Sequence, residues 1–182
     1  CKVSLIEKET QIGKHGSGRN SGVLHAGFYY TSDSLKARFT RLGNQRLTEY
    51  CKFKKININN CGKLVVAKNQ EEAEGFKELL HRATVNDVEL NEISESEAQA
   101  IEPRVKTCGK ALFSPTTSIV DPLEELSTLH KDSTNEGIKI KLGEKYIRQK
   151  NNVLYTKTEK YEASYIINSA GLYADIIAKD FG

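Results

Sequence analysis

Between the apolar run Val3–Ile6 and a helical pattern that opens near Ser34, residues 16–30 read Gly-Ser-Gly-Arg-Asn-Ser-Gly-Val-Leu-His-Ala-Gly-Phe-Tyr-Tyr. Four glycines, a histidine, an arginine, an asparagine and two tyrosines share those fifteen positions. Such a stretch is a loop hung between a strand and a helix. Its glycines let backbone N–H groups approach an anionic ligand closely. The bland alternative is a flexible surface loop, and His25, Tyr29 and Tyr30 argue against it because plain linkers seldom carry them. The rest of the chain reads as scaffold around this loop.

Val3-Ser-Leu-Ile-Glu7 has the texture of a buried parallel strand ending in an acid. An acid there can bind a ribose diol, or it can be a surface glutamate at a strand end. Gly16-Ser-Gly18-Arg-Asn-Ser-Gly22 looks like a phosphate fingerprint with one residue too many. The usual fingerprint turns at once from strand to helix, yet Gly16 lies nine positions beyond Glu7, and no acid follows at the expected distance.

Ser34 is placed as an N-cap, and Leu35, Phe39, Leu42, Arg46 and Tyr50, broadened by Leu47, predict a core-facing helix to about Cys51. Gly62–Ala67 is an expected strand. Glu71–Ala83 is an expected helix with Phe76, Leu79, Leu80 and Ala83 on one face. Val88, Leu90 and Ile93 suggest a short strand, Ser94-Glu-Ser-Glu97 a capping box, and Ala111–Ser114 a further strand. This segment reads as an insertion between two halves of different character. Asp121-Pro122-Leu-Glu124 starts a helix running to about Gly137. Ile138–Leu142, Tyr146–Gln149, Val153–Lys157 and Tyr161–Ala163 form an expected meander, with Asn151-Asn152 as a hairpin turn. Tyr165–Gly171 reads as a buried strand entering a glycine turn, and Leu172–Phe181 as a helix. The turn is either a phosphate or ribose contact or simply a tight connection.

The chain has 182 residues, enough for one domain or one domain with an insertion. A formal charge of +3, without a basic stripe, speaks against nucleic acid. Cys1, Cys51, Cys61 and Cys108 form no C-x-x-C and lie far in sequence from the four histidines, which speaks against zinc. A reduced intracellular chain is the default, with two disulfides as the alternative. No signal peptide and no membrane-spanning apolar run is evident. The absence of methionine, with a start on a strand and a stop after a helix, suggests a processed chain, a fragment or a partial gene.

Three pieces together resemble FAD-dependent oxidoreductases of the D-amino-acid oxidase and glycerol-3-phosphate dehydrogenase type. They are Val3–Lys8, Ser17–Tyr30 and Ile167–Asp175. The middle piece, and Ser114-Pro-Thr-Thr-Ser-Ile-Val-Asp121, look most like the L-2-hydroxyglutarate dehydrogenases and oxidases. The resemblance implies an α/β fold with an α+β insertion: a glutathione-reductase-like FAD-binding domain, incomplete and interrupted by a substrate-binding domain. It divides the chain into a first FAD part at 1–51, an inserted substrate domain at 52–120 and a second FAD part at 121–182. It gives Glu7 and the neighbouring Lys8 to the adenosine ribose, and Arg19, Asn20 and Ser21 to a loop passing pyrophosphate and flavin. It gives Tyr146 to the adenine and Ala170 and Gly171 to a turn near the dinucleotide. The glycine loop becomes a second flavin-facing loop, the true fingerprint being expected before residue 1. A polypeptide of only these 182 residues is then expected to bind FAD weakly or not at all.

The implied reaction is oxidation of a 2-hydroxy acid, with L-2-hydroxyglutarate as the leading substrate, by hydride transfer to FAD. His25 is the candidate base, or a histidine that merely packs beside the flavin; Tyr30 and Thr117 are candidate substrate contacts. Quinone or oxygen would be the electron acceptor. The location would be cytoplasmic, or peripheral at an inner membrane, mitochondrial in a eukaryote. The rivals are an amino-acid or amine oxidase, a glycerol-3-phosphate dehydrogenase, and an inactive piece without cofactor.

Overall fold

Two units divide the chain in the computed structural model, which describes residues 1–182: Cys1–Asn20 with Pro122–Gly182, and Ser21–Asp121. In the first unit β1 (Ser4–Glu7) runs parallel to β8 (Lys139–Leu142), with Glu7 opposite Leu142. Helix α5 (Pro122–Asn135) leads into β8, and Gly137 ends it at φ +82°, a conformation that suits glycine. The Leu123 and Leu126 side chains close on Gly13, where an added Cβ would come within 3.1 Å of each. That contact packs the helix against the glycine loop.

The expected meander forms from β9 (Tyr146–Lys150), β10 (Val153–Thr156) and β11 (Lys160–Glu162), all antiparallel. Asn151 and Asn152 turn the first hairpin at φ +53° and +59°. Two successive positive φ values match the right-handed twist of the strands, and asparagine tolerates them. Ile138–Leu142 is not a member of this meander, because β8 is taken by β1.

The expected strand at 165–171 does not form. Tyr165 is 92% and Ile167 87% exposed, and the run joins no ladder. Apolar texture signals a preference for burial, but a strand also needs a neighbour to take its backbone hydrogen bonds. The helix expected beyond it is broken into a 3-10 turn at Gly171–Tyr173, α6 (Ala174–Ala178) and a last 3-10 turn at Lys179–Phe181.

The second unit holds two three-stranded antiparallel sheets. In one, β7 (Ser118–Val120) lies between β2 (Val23–Leu24) and β3 (Ile58–Asn59). In the other, β6 (Lys110–Ser114) lies between β4 (Lys63–Val66) and β5 (Asn91–Ser94). Of the strand suggested by Val88, Leu90 and Ile93, β5 keeps only Ile93, while Val88 and Leu90 pack into the core from the preceding loop. The capping box at Ser94 opens α4 (Glu95–Ile101). The helix expected over 71–83 is two helices, α2 (Gln70–Glu74) and α3 (Phe76–Val85), divided at Gly75. Phe76 and Ala83 are buried, and Leu79 and Leu80 pack beside Phe76.

Helix α1 (Leu35–Lys54) is capped by the Ser34 hydroxyl, which accepts from the Ala37 N–H at 3.1 Å. It buries a different face from the one its large apolar residues mark. Leu35 and Phe39 are 65% and 61% exposed, while Ala37 and Cys51 are buried. Gly27, at φ +109°, lies against this face of the helix, where an added Cβ would meet the Ala37 carbonyl at an ordinary 3.5 Å. Further along, Leu47 and Tyr50 close over the cluster of Leu24, Cys51, Ile56 and Val120.

Candidate functional site

Glu7 ends β1, and its Oε1 accepts the Glu9 N–H at 2.8 Å. The other carboxylate oxygen remains able to accept from a diol. Lys8 pairs with Glu9 at 2.5 Å and lies 2.8 Å from His15 Nε2, whose ring nitrogen is also 2.9 Å from Glu9. Lys8 and then His15 hold the Glu9 carboxyl down to about 2, so it is ionised at neutral pH. The Glu9 hydrogen bond raises the Lys8 ammonium in turn. Lys8 also stands 5.1 Å over the Tyr173 ring, which brings the end of β1 near the 171–173 turn.

The glycine loop contains a 3-10 turn at Gly16–Gly18. Asn20 braces that turn from its side chain, donating to the carbonyls of Gly16 at 3.1 Å and Ser17 at 2.9 Å. Arg19 follows the turn, its N–H donating to the Gly16 carbonyl at 3.3 Å. Tyr146 opens β9 and donates to Asp180 Oδ2 at 2.6 Å; desolvation, then Asp180, pushes its phenol well above the usual range. Ala170 donates its N–H to Asn168 Oδ1 at 3.3 Å, and Gly171 follows at φ +56°. These residues belong to the first unit, whereas Ser21, His25, Tyr30 and Thr117 belong to the second.

His25 directly follows β2. The register pairs Leu24 with Ser118, so one step on sets His25 across from Thr117. Thr117 is buried, and its hydroxyl lies 3.1 Å from that of Ser114. Its carbonyl accepts the Gly62 N–H at 3.0 Å. That bond fixes the start of β4, where Lys63 places its ammonium 4.5 Å over the Tyr29 ring. Desolvation, then the Lys63 charge, lowers the imidazole of His25 below its ordinary value, so the ring is neutral at pH 7. Tyr30 turns towards α1, with Lys36 4.6 Å over its ring and its carbonyl accepting from Asn86 at 2.9 Å.

Sequence reasoning overlooked two participants. Asn44, on α1, donates from Nδ2 to the carbonyls of Leu24 at 2.8 Å and Thr116 at 3.0 Å, fastening the residues beside His25 and Thr117 together. Lys63 is the second. A polar residue on the helix face that meets the glycine loop could have pointed to Asn44; no local pattern marks Lys63.

An acid at the carboxyl end of a parallel strand, open to a diol, fits the adenosine side of a dinucleotide. The chain gathers no group of three or more His, Cys, Asp or Glu able to hold a metal.

The family model described as FAD dependent oxidoreductase (DAO) matches residues 1–182. An L-2-hydroxyglutarate dehydrogenase of Escherichia coli strain UMN026 is 34% identical over 187 residues, spanning 100% of this chain and 44% of that protein. A mitochondrial L-2-hydroxyglutarate dehydrogenase of Bos taurus is 32% identical over 194 residues, spanning 97% and 42%. The chain therefore spans less than half the length of these relatives. Among solved structures, L-proline dehydrogenase from P. horikoshii superimposes with a TM-score of 0.87 at 19% identity, over 98% of this chain and 49% of that one, a likeness of fold.

Proposed function

The chain belongs to the DAO family of FAD-dependent oxidoreductases, and from that premise we propose that it serves the oxidation of a 2-hydroxy acid, with L-2-hydroxyglutarate the leading substrate and 2-oxoglutarate the product. The observation that carries this reading is the place of His25, one step past the Leu24–Ser118 pair that ends β2, where desolvation and then the Lys63 charge hold its imidazole below the ordinary value. The names of the E. coli and Bos taurus relatives support the choice of substrate.

FAD, when bound, supplies the acceptor for the hydride that leaves the substrate carbon. Glu7 would hold the adenosine ribose, with Lys8 beside it. Arg19, Asn20 and Ser21 would line the path of the pyrophosphate and flavin, Tyr146 would meet the adenine, and Ala170 and Gly171 would pack near the dinucleotide. Residues 1–51 and 121–182 would carry the cofactor contacts and 52–120 the substrate contacts, with His25, as base, and Tyr30, as a substrate contact, the exceptions in the first part. By contacts, α1 groups with the segment that follows it.

His25 takes the proton of the substrate hydroxyl. An uncharged imidazole can accept it, and a positioned base of this kind contributes on the order of 10²–10⁴ in rate. Tyr30 and Thr117 would lie on the substrate side. The electrons would leave to quinone or oxygen. The site of action would be the cytoplasm or, in a eukaryote, the mitochondrion; no helix is long and apolar enough to cross a membrane, and a membrane contact would be peripheral.

The test is stopped-flow bleaching by L-2-hydroxyglutarate of FAD-loaded protein that carries this chain within a polypeptide of its relatives' length, before and after His25→Ala. The substitution is expected to slow bleaching by about 10²-fold or more while flavin retention on desalting is unchanged. Unaltered bleaching rejects the base role. Bleaching by proline, glycine or glycerol 3-phosphate, with none by the hydroxy acid, moves the substrate to the amine or phosphate class.

A further inference from the structure

We propose that Lys63 seats the substrate carboxylate beside His25, and that this seating switches the base on. The inference rests on the hydroxy-acid reading above.

Lys63 begins β4 immediately after Gly62, whose N–H is tied to the Thr117 carbonyl at 3.0 Å. Thr117 precedes Ser118, the ladder partner of Leu24, and His25 follows Leu24, so the two leave the end of the same paired step. The Lys63 ammonium therefore belongs to the same corner of the second unit as the imidazole. Three other cations in that unit are committed to acids: Arg41 to Asp87 at 2.6 Å, Arg82 to Glu78 at 2.7 Å and Lys110 to Glu92 at 2.8 Å. Lys63 is set apart from the remaining lysines by the action of its charge on the His25 ring. Lys63 makes no ion pair and meets only the face of the Tyr29 ring, at 4.5 Å. A ring face leaves the ammonium's N–H donors able to take a carboxylate.

The chemistry of a 2-hydroxy acid matches this spacing. Its carboxylate and its reacting hydroxyl sit on adjacent carbons, so a group holding the first must neighbour the group that deprotonates the second. The charge of Lys63 also acts on the imidazole, adding to desolvation in holding His25 neutral. A carboxylate seated on Lys63 cancels that charge and strengthens the base at the moment a proton has to be taken. An empty site keeps the weaker base; a filled one holds the stronger.

Histidine NMR titration of this chain tests the idea, with His25→Gln identifying the His25 resonance. In the unsubstituted chain, saturating L-2-hydroxyglutarate is expected to raise the His25 titration midpoint. Lys63→Gln is expected to raise it without ligand, to abolish the further response, and to weaken binding by about tenfold or more. Lys63→Arg should keep the response, since a cation remains. A full response in Lys63→Gln, or none in the unsubstituted chain, overturns the anchor. A Lys63-dependent response to glycine or glycerol 3-phosphate in place of the hydroxy acid keeps the anchor and overturns the substrate reading. A hydroxy-acid response indifferent to Lys63 does the reverse.

Discussion

Asn44 donates from Nδ2 to the Leu24 carbonyl at 2.8 Å, and Leu24 is the residue before His25. The same amide reaches the Thr116 carbonyl at 3.0 Å. One side chain on α1 thus fixes the backbone on both sides of the His25–Thr117 pairing. Asn44→Ala removes two neutral hydrogen bonds and is expected to destabilise the chain by about 1–3 kcal/mol. Urea denaturation measures this. The variant should also broaden the His25 resonance, because the strand end that carries it loses its tether. A loss of stability with an unchanged His25 signal would make Asn44 a structural brace without a role in holding the histidine.

The pH response of His25 has a definite sign. Desolvation, then Lys63, holds its folded-state value below the ordinary 6.5, so the unfolded chain binds the proton more readily. The group's contribution to stability is present above pH 6.5 and is lost as pH falls through the folded-state value. His25→Gln is expected to flatten that part of the stability curve. In FAD-loaded protein of its relatives' length, the acidic limb of kcat/KM should lie below pH 6.5, and Lys63→Gln should move it upward. An acidic limb unmoved by that substitution would separate the lysine from the base.

Gly62 has no room for a side chain. A Cβ there would lie 2.5 Å from two Phe113 ring carbons and 3.3 Å from the Ser114 carbonyl, at a backbone φ of +70°. Gly62→Ala is expected to destabilise by roughly 2–4 kcal/mol, combining left-handed strain with displacement of a packed ring. Because Gly62 also carries the bond to Thr117 and precedes Lys63, the variant should impair hydroxy-acid binding beyond its effect on folding. Comparing ligand-induced shifts at a temperature where both proteins are fully folded separates the two effects.

How legible the molecule was depends on what each signal measures. Caps and turns depend on adjacent residues, so Ser34, the Ser94–Glu97 box and the Asn151-Asn152 turn could be placed from letters alone. Strands β2 and β3 are two residues each and β7 is three, too short for any alternation to register. Tyr165–Gly171 has the composition of a core strand, yet composition carries no information about which strand will pair with it. The α1 stripe misled for another reason: hydrophobic periodicity scores Ala37 below Phe39, yet Ala37 is the buried one and Phe39 is exposed. His25 and Thr117 were readable as candidates because they sit in unusual local sequence. Lys63 and Asn44 act through partners distant in sequence, 34 residues away at Tyr29 and 20 at Leu24, which no local motif encodes.

Glu144 offers a test of the other unit. It is 7% exposed, its Oε2 accepts the Thr158 hydroxyl at 2.6 Å, and its N–H donates to the Glu7 carbonyl at 2.8 Å. The Thr156 and Thr158 hydroxyls hold its carboxyl below the usual range. A depressed folded-state value means stability present above the unfolded value of about 4.5 and lost as pH falls through the folded one. Glu144→Gln keeps the shape and removes the titration, so it should flatten the acid limb of the melting curve with a modest fall in Tm near neutrality. Glu144→Ala also strands the Thr158 hydroxyl and should lower Tm further at every pH. Circular dichroism melts between about pH 3 and 7 span this window. If Glu144→Gln melts with the same acid dependence as the unsubstituted chain, the carboxylate is not the group that titrates, and the anchoring of the Glu7 strand end lies in the backbone bond alone.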